Sequence, residues 1–181
     1  MYLKDGYSDV SISDLQEYLN IGRATLYYYF SGKDELFKAV VDKYCIGIYS
    51  ITDVAPDATL PDLIEIHIRH ITKIMNWLLR SKDVQTTRSN LFSLVLNACL
   101  RFPEYKDITN DLREKSEAMW EQAILNSIER KEIRADVNVR VLAAMFANVK
   151  DLYGAALNWH PLKENRFFIS SYFYLYDLVK I

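Results

Sequence analysis

Between Ser11 and Lys33 the chain reads SISDLQEYLNIGRATLYYYFSGK, and the side chains gathered there are hydrogen-bonding groups rather than catalytic ones. Arg23 offers a guanidinium, Thr25, Tyr27, Tyr28 and Tyr29 offer hydroxyls, and Lys33 an ammonium. A guanidinium can pair with both acceptors of a guanine edge, hydroxyls reach phosphates or base edges, and a residue as small as Ala24 allows close approach to a thymine methyl. Such a set suits the reading of a duplex surface. Elsewhere there is no nucleophile elbow, Gly-rich phosphate loop or spaced set of metal ligands, so no catalytic residue, metal or cofactor is assigned. His67 and His70 could reach one metal from one helix face, but no third ligand accompanies them; the alternative is a core or pocket histidine.

To act together these residues need a helix with an anchored back. Ser11 and Asp14 form an S-x-x-D start signal, which predicts a helix from about Ile12 with Ile12, Leu15 and Leu19 as its buried stripe. Asn20 tolerates the left-handed conformation that commonly ends a helix. A turn through Ile21 and Gly22 follows. In the next helix Leu26 and Phe30 lie one above the other and fix the inward face. At about 100° per residue, Ala24, Thr25, Tyr27 and Tyr28 then point outward with Arg23 leading. Two short helices whose second presents its N-terminal residues outward make a helix-turn-helix, the geometry that enters a major groove.

Gly6-Tyr7, Ser11 to Leu19, Thr25-Leu26-Tyr27-Tyr28-Tyr29-Phe30 and Lys33-Asp34-Glu35-Leu36, taken with their spacing, closely resemble the N-terminal domain of TetR-family transcriptional repressors. The resemblance implies that Arg23, Ala24 and Tyr27 sit at bases. It places Thr25, Tyr28, Tyr29 and Lys33 on phosphates, helped by Ser11 and Ser13. Three positions depart from the family pattern: Asn20 and Ala24 stand where Gly is common, and Gly22 replaces the Ser or Thr that caps the recognition helix. The family also has a longer first helix. Met1 to Asp5 reads as only its last turn, stopped by Gly6, so that helix is expected to be truncated here and completed by upstream residues.

Half of the 181 residues are hydrophobic, with five Gly and four Pro. Repeated i, i+3, i+4 apolar spacing without long alternating runs predicts an all-α fold. We expect a helix-turn-helix DNA-binding domain with its connecting helix at 1–51, and a larger helical ligand-binding and dimerisation domain at 52–181. The net charge of −2 lends no support to a nucleic-acid partner, so the DNA reading rests on motif geometry. Cys45 and Cys99 lack ligand spacing and read as buried free thiols. No apolar stretch suffices to span a bilayer and no cleavable signal opens the chain, so a cytoplasmic protein without membrane contact is expected.

Further along, Ser31 and Asp34 predict a cap for a connecting helix from about Gly32 to Ile51, with Leu36, Val40, Tyr44 and Ile48 on one face. Thr52 to Ala58 reads as a loop. Thr59 and Asp62 cap the next helix, whose stripe holds Leu60, Ile64, His67, Ile71, Ile74 and Leu78. A helix from Thr87 to Arg101 turns Leu91, Leu94, Val95 and Ala98 inward. A long charged helix starts after Pro103, with Ile108, Leu112, Met119, Ala123 and Ile128 on its apolar side. Asn138 caps a penultimate helix, and a final one runs from about Lys163 to Lys180.

The last two helices are apolar on more than one face. That excess predicts a two-fold, four-helix homodimer interface through Phe146, Val149, Tyr153, Leu157, Phe168, Tyr172, Leu175 and Tyr176. An effector pocket is expected among His67, Trp77, Phe92, Trp120, Phe146 and Tyr153, for a small apolar or aromatic effector, although each of these side chains also suits a core. The expected function is a ligand-responsive regulator of transcription, a repressor released from double-stranded operator DNA by a small molecule. The alternative is a helical dimeric interaction module without DNA binding, suggested by the short first helix and acidic N-terminal charge.

Overall fold

Short polar side chains set where several helices of this chain begin. The computed structural model describes the backbone of residues 1–47, 51, 54–79, 88–155 and 166–181, and their side chains except at 75–79, 88–89, 150–155 and 166–167. Its helices are α1 (Tyr2–Asp5), α2 (Ile12–Leu19), α3 (Arg23–Tyr29), α4 (Lys33–Val41), α5 (Leu60–Leu79), α6 (Arg88–Arg101), α7 (Glu104–Glu129), α8 (Val139–Ala155) and α9 (Arg166–Asp177). The fold is all-α. Among the described residues the only extended pairing is an isolated antiparallel bridge between Ile133 and Lys180.

At α2 the capping box forms in full: Asp14 N–H donates to Ser11 Oγ at 3.1 Å, and Ser11 N–H donates to Asp14 Oδ2 at 2.7 Å. At α5 the Thr59 amide and hydroxyl both donate to Asp62 Oδ2, at 2.9 and 2.7 Å. Leu60 N–H, a further orphan of that helix end, donates to Ser127 Oγ of α7 at 2.8 Å. Ser127 is fully buried and passes its own proton to Glu132 Oε2 at 2.9 Å, so the polar group is satisfied on both sides. Asn138 Oδ1 accepts from Val141 N–H at 3.2 Å and starts α8.

The connecting helix departs from expectation. Ser31 does not cap α4: Asp34 accepts the Tyr7 hydroxyl instead, and Ser31 N–H donates to Glu35 Oε2 at 2.6 Å. Nor does α-helical geometry continue to Ile51. After Val41 the backbone widens into a π turn over Asp42–Ile46, closed by Gly47 N–H on the Asp42 carbonyl. A Cβ at Gly47 would come within 3.2 Å of that carbonyl, a crowding that glycine avoids. Ile51 is not helical, and the expected contact of Ile48 lies outside the described residues.

Two apolar clusters hold the helices. The first gathers Tyr2, Tyr7, Val10, Leu15, Leu26, Phe37, Val41 and Cys45 with Leu91, Leu94, Ala98 and Tyr105, so α1 to α4 pack directly on α6 and the start of α7. The second is built from Leu60, Leu63, Ile64 and Ile71 of α5, Trp120, Ala123 and Ile124 of α7, Leu142, Ala143, Phe146, Ala147 and Val149 of α8, and Phe168 and Tyr172 of α9. Ile74 packs against both. Some stripe residues differ from the reading of the sequence: Leu19 is 51% exposed, because α2 is short and only Leu15 is central to the cluster, Phe30 is half-buried at the end of α3, and in the connecting helix Phe37, Val41 and Cys45 are buried while Leu36, Val40 and Tyr44 are half-buried.

Hydrogen bonds from the Thr59 amide and then its hydroxyl hold the Asp62 carboxyl below the usual range. A carboxylate depressed on folding contributes stability above its unfolded pKa of about 3.9, and that contribution is lost as pH falls through the folded value. Asp62→Ala should therefore cost about 1 kcal/mol in urea unfolding at neutral pH and close to nothing in acid. A gap between wild type and variant that persists in acid would contradict the cap.

Cys45 is fully buried, and burial followed by the Asp42 charge pushes its thiol up to about 12, whereas Cys99 is half-buried. Because the thiolate is the reactive species, a thiol reagent at mildly alkaline pH should modify Cys99 first and Cys45 only on unfolding. Peptide mass spectrometry over time reads the order directly, and comparable rates would be inconsistent with this packing.

Candidate nucleic-acid interface

The turn that sets α3 against α2 is short and its backbone bonds are accounted for. Asn20 adopts the left-handed conformation (φ 52°, ψ 45°) and its N–H bonds back to Gln16 and Glu17. Gly22 is extended and its carbonyl accepts from Thr25 and Leu26 N–H at 3.1 and 3.3 Å. No side chain caps α3, as the glycine there implied. The space beside Gly22 is open, with Thr25 Oγ1 4.0 Å from where a Cβ would stand, so neither crowding nor φ demands glycine.

One side chain pins the helix. Leu26 is 2% exposed, whereas every other residue from Arg23 to Tyr29 is exposed. Arg23, Ala24, Thr25, Tyr27, Tyr28 and Tyr29 are therefore all available on one short rod. The Arg23 guanidinium lies 5.5 Å from the Tyr27 ring centroid, a cation–π contact between side chains four residues apart that limits the arginine's freedom before any partner arrives. Tyr28 and Tyr29 meet edge to face at 4.9 Å while remaining 81% and 67% exposed. Large aromatic rings held in water outside any core are the costly feature of this surface.

Ser11 and Ser13 are exposed at the start of α2, beside α3 in the chain. Asp14, hydrogen-bonded first by the Ser11 side chain, is held below the usual carboxylate range and places a negative charge there too. Lys33 is half-buried, with its ammonium 4.1 Å from the Tyr7 ring centroid. Arg101 of α6 stands 4.1 Å from the same centroid. Tyr7 therefore gathers two cations on its ring and Asp34 on its hydroxyl, a supporting role that its Gly-Tyr context alone did not assign. Burial, then the Asp34 hydrogen bond, raises the Tyr7 phenol above its ordinary pKa.

In the larger part of the chain, the residues expected to line a pocket divide. His67, Trp120 and Phe146 converge: the Trp120 ring is 5.0 Å from Phe146 and 5.4 Å from His67. Phe92 does not join them, because α6 turns it outward to 48% exposure. The side chains of Trp77 and Tyr153 lie outside the described residues. Of the residues expected at a dimer interface, Phe146, Val149, Phe168 and Tyr172 are buried in the protomer's own second cluster, while Leu175 and Tyr176 are half-buried at its edge. Leu157 and the Tyr153 side chain are outside the description. Among the described residues, the apolar side chains that α8 and α9 leave exposed are instead Val141, Met145, Phe173 and Tyr174.

Residues 2–40 match the family described as "Bacterial regulatory proteins, tetR family". No protein of curated function matches the sequence significantly. Among solved structures, the TetR-family transcriptional regulator PfmR from Thermus thermophilus is similar with a TM-score of 0.66 at 16% identity, over 97% of this chain and 92% of that one. The ketosteroid transcriptional regulator KstR2 of Mycobacterium tuberculosis is similar at 0.57 and 15% identity, over 100% and 90%. Salmonella enterica GusR gives 0.56 at 16% identity, over 98% and 86%. These identities speak to the fold, and the N-terminal match speaks to the segment that carries the exposed helix. Residues 2–40 thus carry the N-terminal segment of the TetR family, and the chain as a whole shares the all-helical fold of TetR-family transcriptional regulators.

Proposed function

We propose that this chain is a homodimeric, ligand-responsive repressor in which α3 enters the major groove of an operator. The observation that carries the reading is the outward face of α3, where Arg23, Ala24, Thr25 and Tyr27 are exposed on a helix fixed through buried Leu26. Arg23 and Tyr27 would meet bases together with Ala24. Thr25, Tyr28, Tyr29 and Lys33 would meet phosphates, joined by Ser11 and Ser13. A DNA-binding unit would span residues 1–51, and an effector-binding and dimerisation unit 52–181.

A second copy is the partner favoured for α8 and α9. Between them lies a largely apolar groove lined by Val141, Ala144, Met145, Val149, Tyr174 and Leu175. Two such faces related by a two-fold axis would bury one another in a four-helix arrangement and set two α3 helices about 34–36 Å apart or at a somewhat longer spacing. A small apolar or aromatic effector, bound among α5, α7, α8 and α9, would shift α4 and so change that separation. A preference of about 1–3 kcal/mol for one arrangement gives roughly 5- to 150-fold control of affinity.

Arg23→Ala and Tyr27→Ala should each weaken binding to DNA from upstream of the chain's own coding sequence by about 1–3 kcal/mol, with helix content and dimerisation intact. Fluorescence anisotropy titrations beside circular dichroism and sedimentation would show this. Unchanged titrations for both variants would remove α3 from the interface. Failure of the wild-type chain to shift any upstream fragment at low salt would favour an interaction module over a DNA-binding regulator.

A further inference from the structure

One face of α7 carries two buried polar atoms without hydrogen-bond partners: the indole Nε1 of Trp120 in the second cluster and, one turn earlier, the hydroxyl oxygen of half-buried Ser116. Trp120 is fully buried. An indole N–H can only donate, and a buried donor without an acceptor is a standing cost that a ring lacking the N–H would not incur. The walls around it are flat and aromatic. Phe146 stacks on Trp120 at 5.0 Å and 18°, Tyr172 at 5.7 Å and 16°, and His67 lies tilted at 5.4 Å. Helices α5, α7, α8 and α9 thus contribute one ring each to a common stack.

We propose that Trp120 Nε1–H and the Ser116 hydroxyl are the donors that recognise a neutral carbonyl oxygen on a flat, otherwise apolar effector, which would insert among these rings. This rests on the effector-site reading given above and adds the chemistry of the ligand to it. Neutrality follows from the surroundings. No Lys or Arg is buried among the described residues, so a carboxylate entering there would meet no permanently charged partner, with the titratable imidazole of His67 the one side chain that could answer it. A pure hydrocarbon would bury the same area and leave both donors unpaired. A site whose polar groups are built for an acceptor discriminates against an analogue that lacks one.

The probes are 2-acetylnaphthalene and 2-isopropenylnaphthalene, which share an outline and differ in C=O against C=CH2, titrated by calorimetry into the full chain. The ketone should bind ~10-fold more tightly. Trp120→Phe and, separately, Ser116→Ala should each reduce that preference, with circular dichroism and melting curves confirming the fold. Ser116→Ala should keep or raise Tm, since it deletes a buried unpaired hydroxyl, which guards against the case where Trp120→Phe does not fold. Equal binding of the two probes, or a preference that survives both substitutions, would overturn the assignment. If both bind equally and both release DNA, the effector site stands while the donor pair falls. If neither binds, the donor pair falls together with an effector site for ligands of this class.

Discussion

The fold depends on one unbroken rod shared by two cores. Helix α7 runs 26 residues from Glu104 to Glu129, about 39 Å at the α-helical rise. Its first turn puts Tyr105 into the cluster that holds α1 to α4, and its second half puts Trp120, Ala123 and Ile124 into the cluster of α5, α8 and α9. Between those anchorages one side of the helix is solvated. There, Lys115–Asp111 at 2.7 Å and Arg113–Glu117 at 3.1 Å are i, i+4 pairs, on exposed side chains apart from half-buried Glu117. Each is worth only a few tenths of a kcal/mol, about 0.3–0.5. The middle of α7 is therefore fixed mainly through what its two ends bury.

How α4 is joined to that rod can be ranked by burial. Lys38 and Glu104 form an ion pair across the junction, yet both side chains are at least a third exposed, so its contribution is small. The Tyr105 ring is 2% exposed, and its hydroxyl donates to Asp42 Oδ1 at 2.7 Å with the Lys38 carbonyl at 3.2 Å. Phe37 is fully buried and meets Tyr2, Tyr7 and Phe102 at 5.2, 4.8 and 6.2 Å. Packed aromatic pairs of this kind contribute about 0.5–1.5 kcal/mol each beyond their buried area, so rings rather than charges carry the connection. The phenol of Tyr105 lands on the residue where the backbone leaves α-helical geometry. Asp42 opens the π turn that Gly47 closes, so the most deeply buried link between α7 and α4 meets α4 at its irregular point.

What could be read from the sequence was local. The boxes at Ser11 and Asp14, and at Thr59 and Asp62, are complete within four residues, and so is the left-handed turn at Asn20. The exposed face of α3 followed from the helical period and one apolar anchor. Signals that looked equally local failed where a distant group competed. Asp34 could have served Ser31, but Tyr7, 27 residues earlier, took it. Helical period also reveals that α8 and α9 have two apolar faces without revealing which faces inward. Phe146, Phe168 and Tyr172 were expected between copies and belong to the protomer's own core, because that choice depends on where α5 and α7 lie. The unpaired indole N–H of Trp120 belongs to the same class, since tryptophan on an apolar stripe looks the same whether or not an acceptor is supplied.

Charge bears on how the proposed interface would work. Arg23 is the only cation on α3, and Lys33 already rests on the Tyr7 ring, so each copy brings few mobile positive charges to a duplex. Counterion release scales with the number of phosphates neutralised, at about −0.9 in log–log slope per contact, and two copies with one or two such contacts each would gain little from it. The exposed hydroxyls of Thr25, Tyr28 and Tyr29 then matter more than in a basic protein. They can bond phosphate oxygens without neutralising them, and their rings would leave water on contact, adding a contribution that salt does not screen. An acidic chain with a tyrosine-rich α3 is thus compatible with DNA binding through positioning and desolvation, in which the fixed orientation given by Leu26 counts for more than net charge.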